Sequence, residues 1–238
     1  MFPAAAREKS VLIVAHPDDE ALWFSSVVPH VDRIIICFRP GVASRHDANA
    51  RIISDYPLDN VQFLSVTTFY SYHRLNFILP IKKPCGLLIK NSVRAVVKYW
   101  KNCRILTQKL NTLINEGSNV FTHNPWGEYG HEEHIQISSI LAEMQKRKDI
   151  TLWYSNYGSF KTYPKIKKII FSARFESFTL PIDQNFTQTM KSFYVDRHSW
   201  TWKSDWQWFD QETYFSLKKG TSLPKYQHTI PLNLFNAP

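Results

Sequence analysis

Continuous apolar, largely β-branched runs recur along the chain at Val11–Ala15, Arg33–Arg39, Val61–Thr67, Asn119–Asn124 and from Leu152 onward. Runs without polar alternation mark strands covered on both faces. Between them lie segments with helical spacing or helix-start chemistry: Asp18 to about Val28, Ala43–Asp55, Ser92–Glu116 and Glu132–Lys148. The long third segment is read from Val93, Val96, Val97, Trp100, Cys103, Leu106, Leu110, Leu113 and Ile114, with Gly117 as its stop. Strands alternating with helices predict βαβ units. The expected fold is α/β: one Rossmann-like domain spanning 1–238, with a mainly parallel twisted sheet and helices on both faces.

Residues 68–90 interrupt this rhythm with Pro80, Pro84 and mixed aromatic and basic residues, and read as an insertion over the sheet. Further on, Ile166–Ser172, Phe175–Ile182 and the Trp-rich stretch Trp200–Phe209 read as strands and a closing helix. The four tryptophans Trp200, Trp202, Trp206 and Trp208 are expected to complete the core rather than to line a sugar-stacking wall.

Composition narrows the class. With 238 residues, 44% of them hydrophobic and 21% charged, the chain has ordinary globular usage and length enough for a core of its own. No stretch approaches the apolar length of a membrane span. The apolar run near the N-terminus is too short for a signal peptide and runs straight into acids. The three cysteines, Cys37, Cys85 and Cys103, form no CxxC pair, so neither a disulfide framework nor a cysteine zinc site is expected. A reducing, cytoplasmic compartment fits.

The formal net charge of +9 is unevenly placed. From His73 to Arg104 the chain holds Arg74, Lys82, Lys83, Lys90, Arg94, Lys98, Lys101 and Arg104, interleaved with apolar residues and with no acid. Lys161, Lys165, Lys167 and Lys168 form a second cluster. A solvated face accounts for such charge; so does peripheral contact with an anionic membrane. Nucleic acid is not expected as a partner, since no nucleic-acid motif accompanies the patch.

Two segments bring donors to the carboxyl ends of strands, where parallel α/β sheets place ligands. They are Ala15-His16-Pro17-Asp18-Asp19-Glu20 and Tyr129-Gly130-His131-Glu132-Glu133-His134. Taken singly, the acids suit helix capping and the histidines a solvated helix start. Together they offer the two-histidine, one-carboxylate set that suits zinc with an open coordination position. The histidines of the second segment stand three apart, so the metalloprotease pattern HExxH is absent. A nucleotide-cofactor reading fails too, because the first strand-turn lacks GxGxxG and carries acids where a pyrophosphate would sit.

AHPDDE after a strand, followed downstream by YGHxxH, resembles the LmbE/PIG-L-type metal-dependent de-N-acetylases, over roughly residues 9–155. That resemblance implies one zinc per chain held by His16, Asp19 and His134. It implies Asp18 as general base, His131 as electrostatic partner or acid at the tetrahedral intermediate, and Tyr129 near the oxyanion. The substrate implied is an N-acetylglucosamine-type sugar or sugar conjugate, lipid- or phosphate-linked forms included, cleaved in glycan or glycoconjugate biosynthesis. Where relatives read HPDH, this chain reads HEEH, and the threonine-glycine-glutamate turn after the second strand is here Phe38-Arg39-Pro40-Gly41. Arg39, His46 and Arg51 are the remaining residues for substrate contact. The alternative reading is a non-catalytic metal- or glycan-binding relative in a membrane-associated glycan-assembly complex; Asp18 and His131, which binding alone does not need, favour the enzyme.

Overall fold

A computed structural model describes residues 9–39, 51–69, 80–172, 174–218 and 230–237. Its centre is a mostly parallel sheet of seven strands. In chain order these are β1 (Ser10–Val14), β2 (Arg33–Arg39), β3 (Val61–Thr67), β6 (Ser118–Thr122), β7 (Ile150–Ser155), β9 (Arg174–Pro181) and β10 (Gln211–Lys218). The short strands β4 (Lys82–Lys83) and β5 (Gly86–Leu87) form a separate hairpin, and β8 (Tyr157–Ser159) pairs with β11 (Asn233–Phe235). In space the large sheet runs β3-β2-β1-β6-β7-β10-β9. The first five are mutually parallel, and β10 is antiparallel to both its neighbours. Chain order therefore reverses between β1 and β6, and such a switch point opens a crevice beyond the strand ends.

The β-branched runs fold as strands because the sheet is covered on both sides. Along β1, Val11 and Ile13 enter one apolar cluster while Leu12 and Val14 enter the other. The first cluster is closed by α2 (Val93–Leu113) and α3 (Glu132–Gln145), through Leu106, Leu110, Ile137, Ile140 and Leu141. The second is closed by Leu22, Trp23 and Phe24, of which the first two belong to the short α1 (Asp19–Trp23), and by Trp206 and Trp208. Two further helices are α4 (Tyr163–Ser172) and α5 (Gln184–Asp196). Among the described residues no helix is long and apolar enough to cross a membrane.

Several expectations change. Ile166–Ser172 is not a strand but the body of α4; Ile166 is buried while Lys167 and Lys168 are exposed, a one-sided pattern that suits a surface helix. The Trp200–Phe209 stretch is irregular chain between α5 and β10, with Trp206 and Trp208 buried in the core. Helix α2 keeps its spacing, yet Val93 and Val97 lie outside the core, 79% and 60% exposed, because Ala95, Tyr99 and Asn102 occupy the inner face there. Of the expected 43–55 helix, residues 51–54 are helical and 40–50, with His46, lie outside the described residues.

The cysteine expectation is overturned. Cys85, beside the β4–β5 hairpin, is disulfide-bonded to Cys103 on α2, and buried Cys37 is the free thiol. The hairpin packs onto α2 and α3 through Leu87 and Tyr99, whose hydroxyl accepts the Leu87 N–H and donates to the Glu132 carbonyl. That packing brings together two cysteines 18 positions apart. The compartment reading that rested on unpaired cysteines loses its support, since disulfides persist in oxidising environments.

Candidate metal centre

The crevice at the switch point is lined from both sides of the reversal. Chain leaving β1 supplies His16, Asp18 and Asp19; chain leaving β6 supplies His123, Glu128 and the start of α3. A backbone bond seals the two together, the Ala15 N–H donating to His123 Nε2 at 2.9 Å. Gly127, at φ +65°, turns the second segment back so that its carbonyl accepts the N–H groups of Gly130 and His131. A Cβ there would lie 2.8 Å from the His131 carbonyl oxygen, so glycine is required for the close approach.

The structure brings His16, Asp19 and His134 together. His16 Nδ1 lies 3.3 Å from Asp19 Oδ2, and His134 Nε2 lies 3.4 Å from Asp19 Oδ1. Ligand atoms of His16, His131 and His134 fall within 4.8 Å of one another, as do those of Asp19, His123 and His134. The His16 and His134 imidazoles are each gripped by a carboxylate on one ring nitrogen. Glu128 Oε2 accepts from His134 Nδ1 at 2.7 Å, and Glu133 Oε2 accepts from His16 Nε2 at 2.7 Å. Glu133 is itself anchored by the Phe69 N–H at 3.1 Å. Burial opposes ionisation of Glu128, but His123 and His134 outweigh it and hold its carboxyl at about 2. An ionised Glu128 only accepts, so both imidazoles present Nδ1–H to it.

This arrangement fixes the opposite nitrogens. His123 Nε2 is a lone pair already used by the Ala15 N–H. His134 Nε2 is fully buried and has no hydrogen-bond partner. It faces an Asp19 oxygen. A metal ion between the two would give this nitrogen the partner it lacks, alongside the Trp23 indole N–H that Asp19 Oδ1 accepts at 3.1 Å. The donor set therefore fits a metal ion. Carboxylates that orient histidines from behind are the usual accompaniment of such sites.

His131 differs. It is the N-cap of α3, its Nδ1 accepting the Glu133 N–H at 3.2 Å. Burial, then the neighbouring His134 and His16, hold its pKa well below the ordinary range. The ring is neutral with its proton on Nε2, a donor rather than a ligand. Tyr129 stacks edge-on against both His131 and His134, at centroid distances of 5.7 and 5.6 Å.

Two residues of the site hold left-handed backbones, Asp18 at φ +89° and Glu128 at φ +51°. Although Asp18 stands at the N-cap of α1, its side chain makes no capping bond. Its Oδ2 instead accepts from Thr201, from N–H at 2.8 Å and from the hydroxyl at 2.7 Å. Burial and the charge of Asp19 raise its pKa well above the usual carboxylate range, and the Thr201 bonds oppose them.

Arg39 ends β2 as an exposed residue, and Arg51 sits on an exposed helical turn beside Asp55, which pairs with Arg197 at 3.1 Å. His123, Glu128 and Thr201 escape sequence reading. His123 follows β6 directly, much as His16 follows β1 by two residues, which is a usable signal; Glu128 and Thr201 offer none.

Among solved structures, the chain is similar to a deacetylase described in complex with teicoplanin, in the biosynthesis pathway of teicoplanin, with TM-score 0.48 and 8% identity over 88% of this chain and 98% of that one. No family model and no curated protein sequence matches it.

Proposed function

We propose that the protein is a metal-dependent N-deacetylase, removing an acetyl group from an N-acetylglucosamine-type sugar or sugar conjugate. The observation that carries this reading is the buried, unpartnered His134 Nε2 facing Asp19, with Glu128 and Glu133 orienting the two imidazoles from behind. In this reading His16, Asp19 and His134 hold one Zn2+. When bound, the ion polarises the amide carbonyl and acidifies water, as catalytic zinc does. His123 is not a ligand, because its Nε2 is taken by the Ala15 N–H.

The chain's own groups then divide the work. Asp18 accepts a proton as water attacks the amide carbon, and returns it to the nitrogen when the C–N bond breaks, giving acetate and a free amine. His131, neutral with Nε2–H directed outward from its capping nitrogen, donates to the oxyanion that develops on the carbonyl. Tyr129 borders the same position, and Arg39 and Arg51 serve the sugar or its linked group.

The exposed face around the hairpin fits a substrate carried at an anionic membrane surface. Val93, Val97, Ile81 and Leu88 are exposed there among Lys82, Lys83, Arg94 and Lys98. Lys165 of the second basic cluster comes close enough to Lys82 for that charge, after burial, to lower its pKa. The two clusters therefore approach each other at Lys82 and Lys165.

The test is incubation of zinc-loaded protein with free, nucleotide-linked and lipid-linked N-acetyl sugars, reading new primary amine. D18A should retain about one zinc per chain while turnover falls about 100- to 10,000-fold, the usual span for a lost general base. Undiminished turnover in D18A overturns the base assignment. Absence of zinc binding in the wild type overturns the whole reading.

A further inference from the structure

We infer that Thr201 is a positioning residue for Asp18, delivered by the Trp-rich segment 199–209; the inference rests on the deacetylase reading and deepens it. Three observations lead there. Asp18 stands at a helix start, where an aspartate ordinarily bonds the N–H groups of its own first turn, yet it makes no such bond. Its backbone is held at φ +89°, which turns the side chain away from α1. Both hydrogen bonds to its Oδ2 come from Thr201, 183 residues along the chain. Two donors on one oxygen fix the carboxylate plane and leave Oδ1 as the oxygen that takes a proton.

The segment bearing Thr201 is built to be rigid. The Trp208 indole N–H donates to the Ala21 carbonyl of α1 at 2.7 Å, tying the segment to the helix that begins beside Asp18. Lys191 donates to the Ser204 carbonyl at 2.6 Å and lies over the rings of Trp200 and Trp208. Lys203 reaches the Asn236 carbonyl at 2.7 Å. Trp202, next to Thr201, packs against Trp23 and Tyr129 at 5.2 and 4.9 Å. Alignment of a general base against its proton is a matter of fractions of an ångström, and a donor on a clamped segment supplies that alignment before substrate arrives. The tryptophans thus do more than fill core: they hold the residue that aims the base.

Thr201 is exposed, so its substitution leaves the core intact. T201V keeps the shape and the backbone donor but removes the hydroxyl bond to a carboxylate. It should lower kcat about 10- to 100-fold, the equivalent of one charge-assisted hydrogen bond, with KM within about 2-fold, zinc content unchanged and Tm within about 2 °C. T201S, which restores the hydroxyl, should recover most of kcat. Wild-type kcat in T201V overturns the inference, as does a T201S that falls as far as T201V.

Amide hydrogen exchange reads the contact without turnover. The Thr201 amide should be protected in the wild type and lose that protection in D18A. An unprotected wild-type amide overturns the positioning itself. A protected amide in a protein that deacetylates no sugar overturns the deacetylase reading, and the catalytic use of the contact with it, while leaving the contact standing.

Discussion

Glu128 offers the sharpest test of the metal centre, because it should affect ion binding without touching the ion. It is fully buried and receives four bonds: from His134 Nδ1 at 2.7 Å, His123 Nδ1 at 3.0 Å, the Ser155 hydroxyl at 2.8 Å and the Asn124 N–H at 3.2 Å. Glu128→Gln keeps the shape but replaces one accepting oxygen with a donating NH2. Placed toward the imidazoles, that group forces His134 to flip its proton to Nε2, which removes the lone pair aimed at Asp19. Placed the other way, it opposes the Asn124 N–H and leaves His134 with a neutral, weaker acceptor. Either outcome lowers the basicity of the ligand nitrogen. Loss of such a supporting group typically costs about 10- to 100-fold in metal affinity. The metal-free protein should also lose about 2–4 kcal/mol, the scale of one or two charge-assisted bonds in a buried site. Zinc competition against a chromophoric chelator reads the first quantity, and denaturant unfolding in chelator reads the second. An E128Q protein that binds zinc as tightly as the wild type would refute the assignment of His134 as a carboxylate-oriented ligand.

Other outcomes follow from the same structure. Thiol titration of the native protein should find no reactive cysteine, unfolding without reductant should expose one, and unfolding with reductant should expose all three, since Cys37 is buried with its thiol pKa pushed up by burial and Cys85 is bonded to Cys103. C103S should cost about 3 kcal/mol in unfolding free energy, as expected for a closed loop of this length; a C103S protein as stable as the wild type would show that the bridge does not constrain the hairpin. In vesicle sedimentation, phosphatidylserine-containing vesicles should retain the protein and pure phosphatidylcholine vesicles should not. V93E/V97E should reduce that retention about 10-fold or more, given the transfer value of two valines and about 1 kcal/mol per charge near the surface. Equal retention by the two vesicle types would dismiss the membrane reading.

The parallel half of the sheet was legible because both of its faces are buried. Ile34, Ile35 and Ile36 in succession leave no alternative to a strand covered on two sides. The same logic failed at Ile166–Ser172, where lysines interleave with isoleucines and the segment suits a strand or a helix equally until the sheet shows which face Ile166 meets. Val93 and Val97 misled for a related reason. Helical spacing identifies the helix, but Tyr99 and Asn102 decide which way it turns, through bonds to residues far along the chain. The disulfide lies beyond sequence reading altogether, since it depends on the hairpin settling on α2. At the site, donors placed after two strands mark the segments that bear His16, Asp19 and His134, and the family resemblance singles out those three as ligands, whereas Glu128 and Thr201 are identified by what they touch.

The charge pattern of the crevice argues against a site that is merely structural. Asp18, Asp19, Glu128 and Glu133 are all buried around a handful of imidazoles. Burying a carboxylate is costly unless it is paired, and an apolar replacement of similar volume usually stabilises as well or better. A core residue would not need a buried His134 Nε2 without a hydrogen-bond partner beside Asp19, nor Asp18 to hold a left-handed backbone while ignoring its own helix. Helix capping explains neither. A solvated face explains neither, since apart from the half-buried His16 and His131 the participating side chains are out of solvent. Both suit a site able to hold a cation between His134 and Asp19, with a second carboxylate aimed from the side by Thr201. A binding module would need only the first of these features. The separately positioned Asp18 is what the proposed hydrolase needs and a metal-holding scaffold does not.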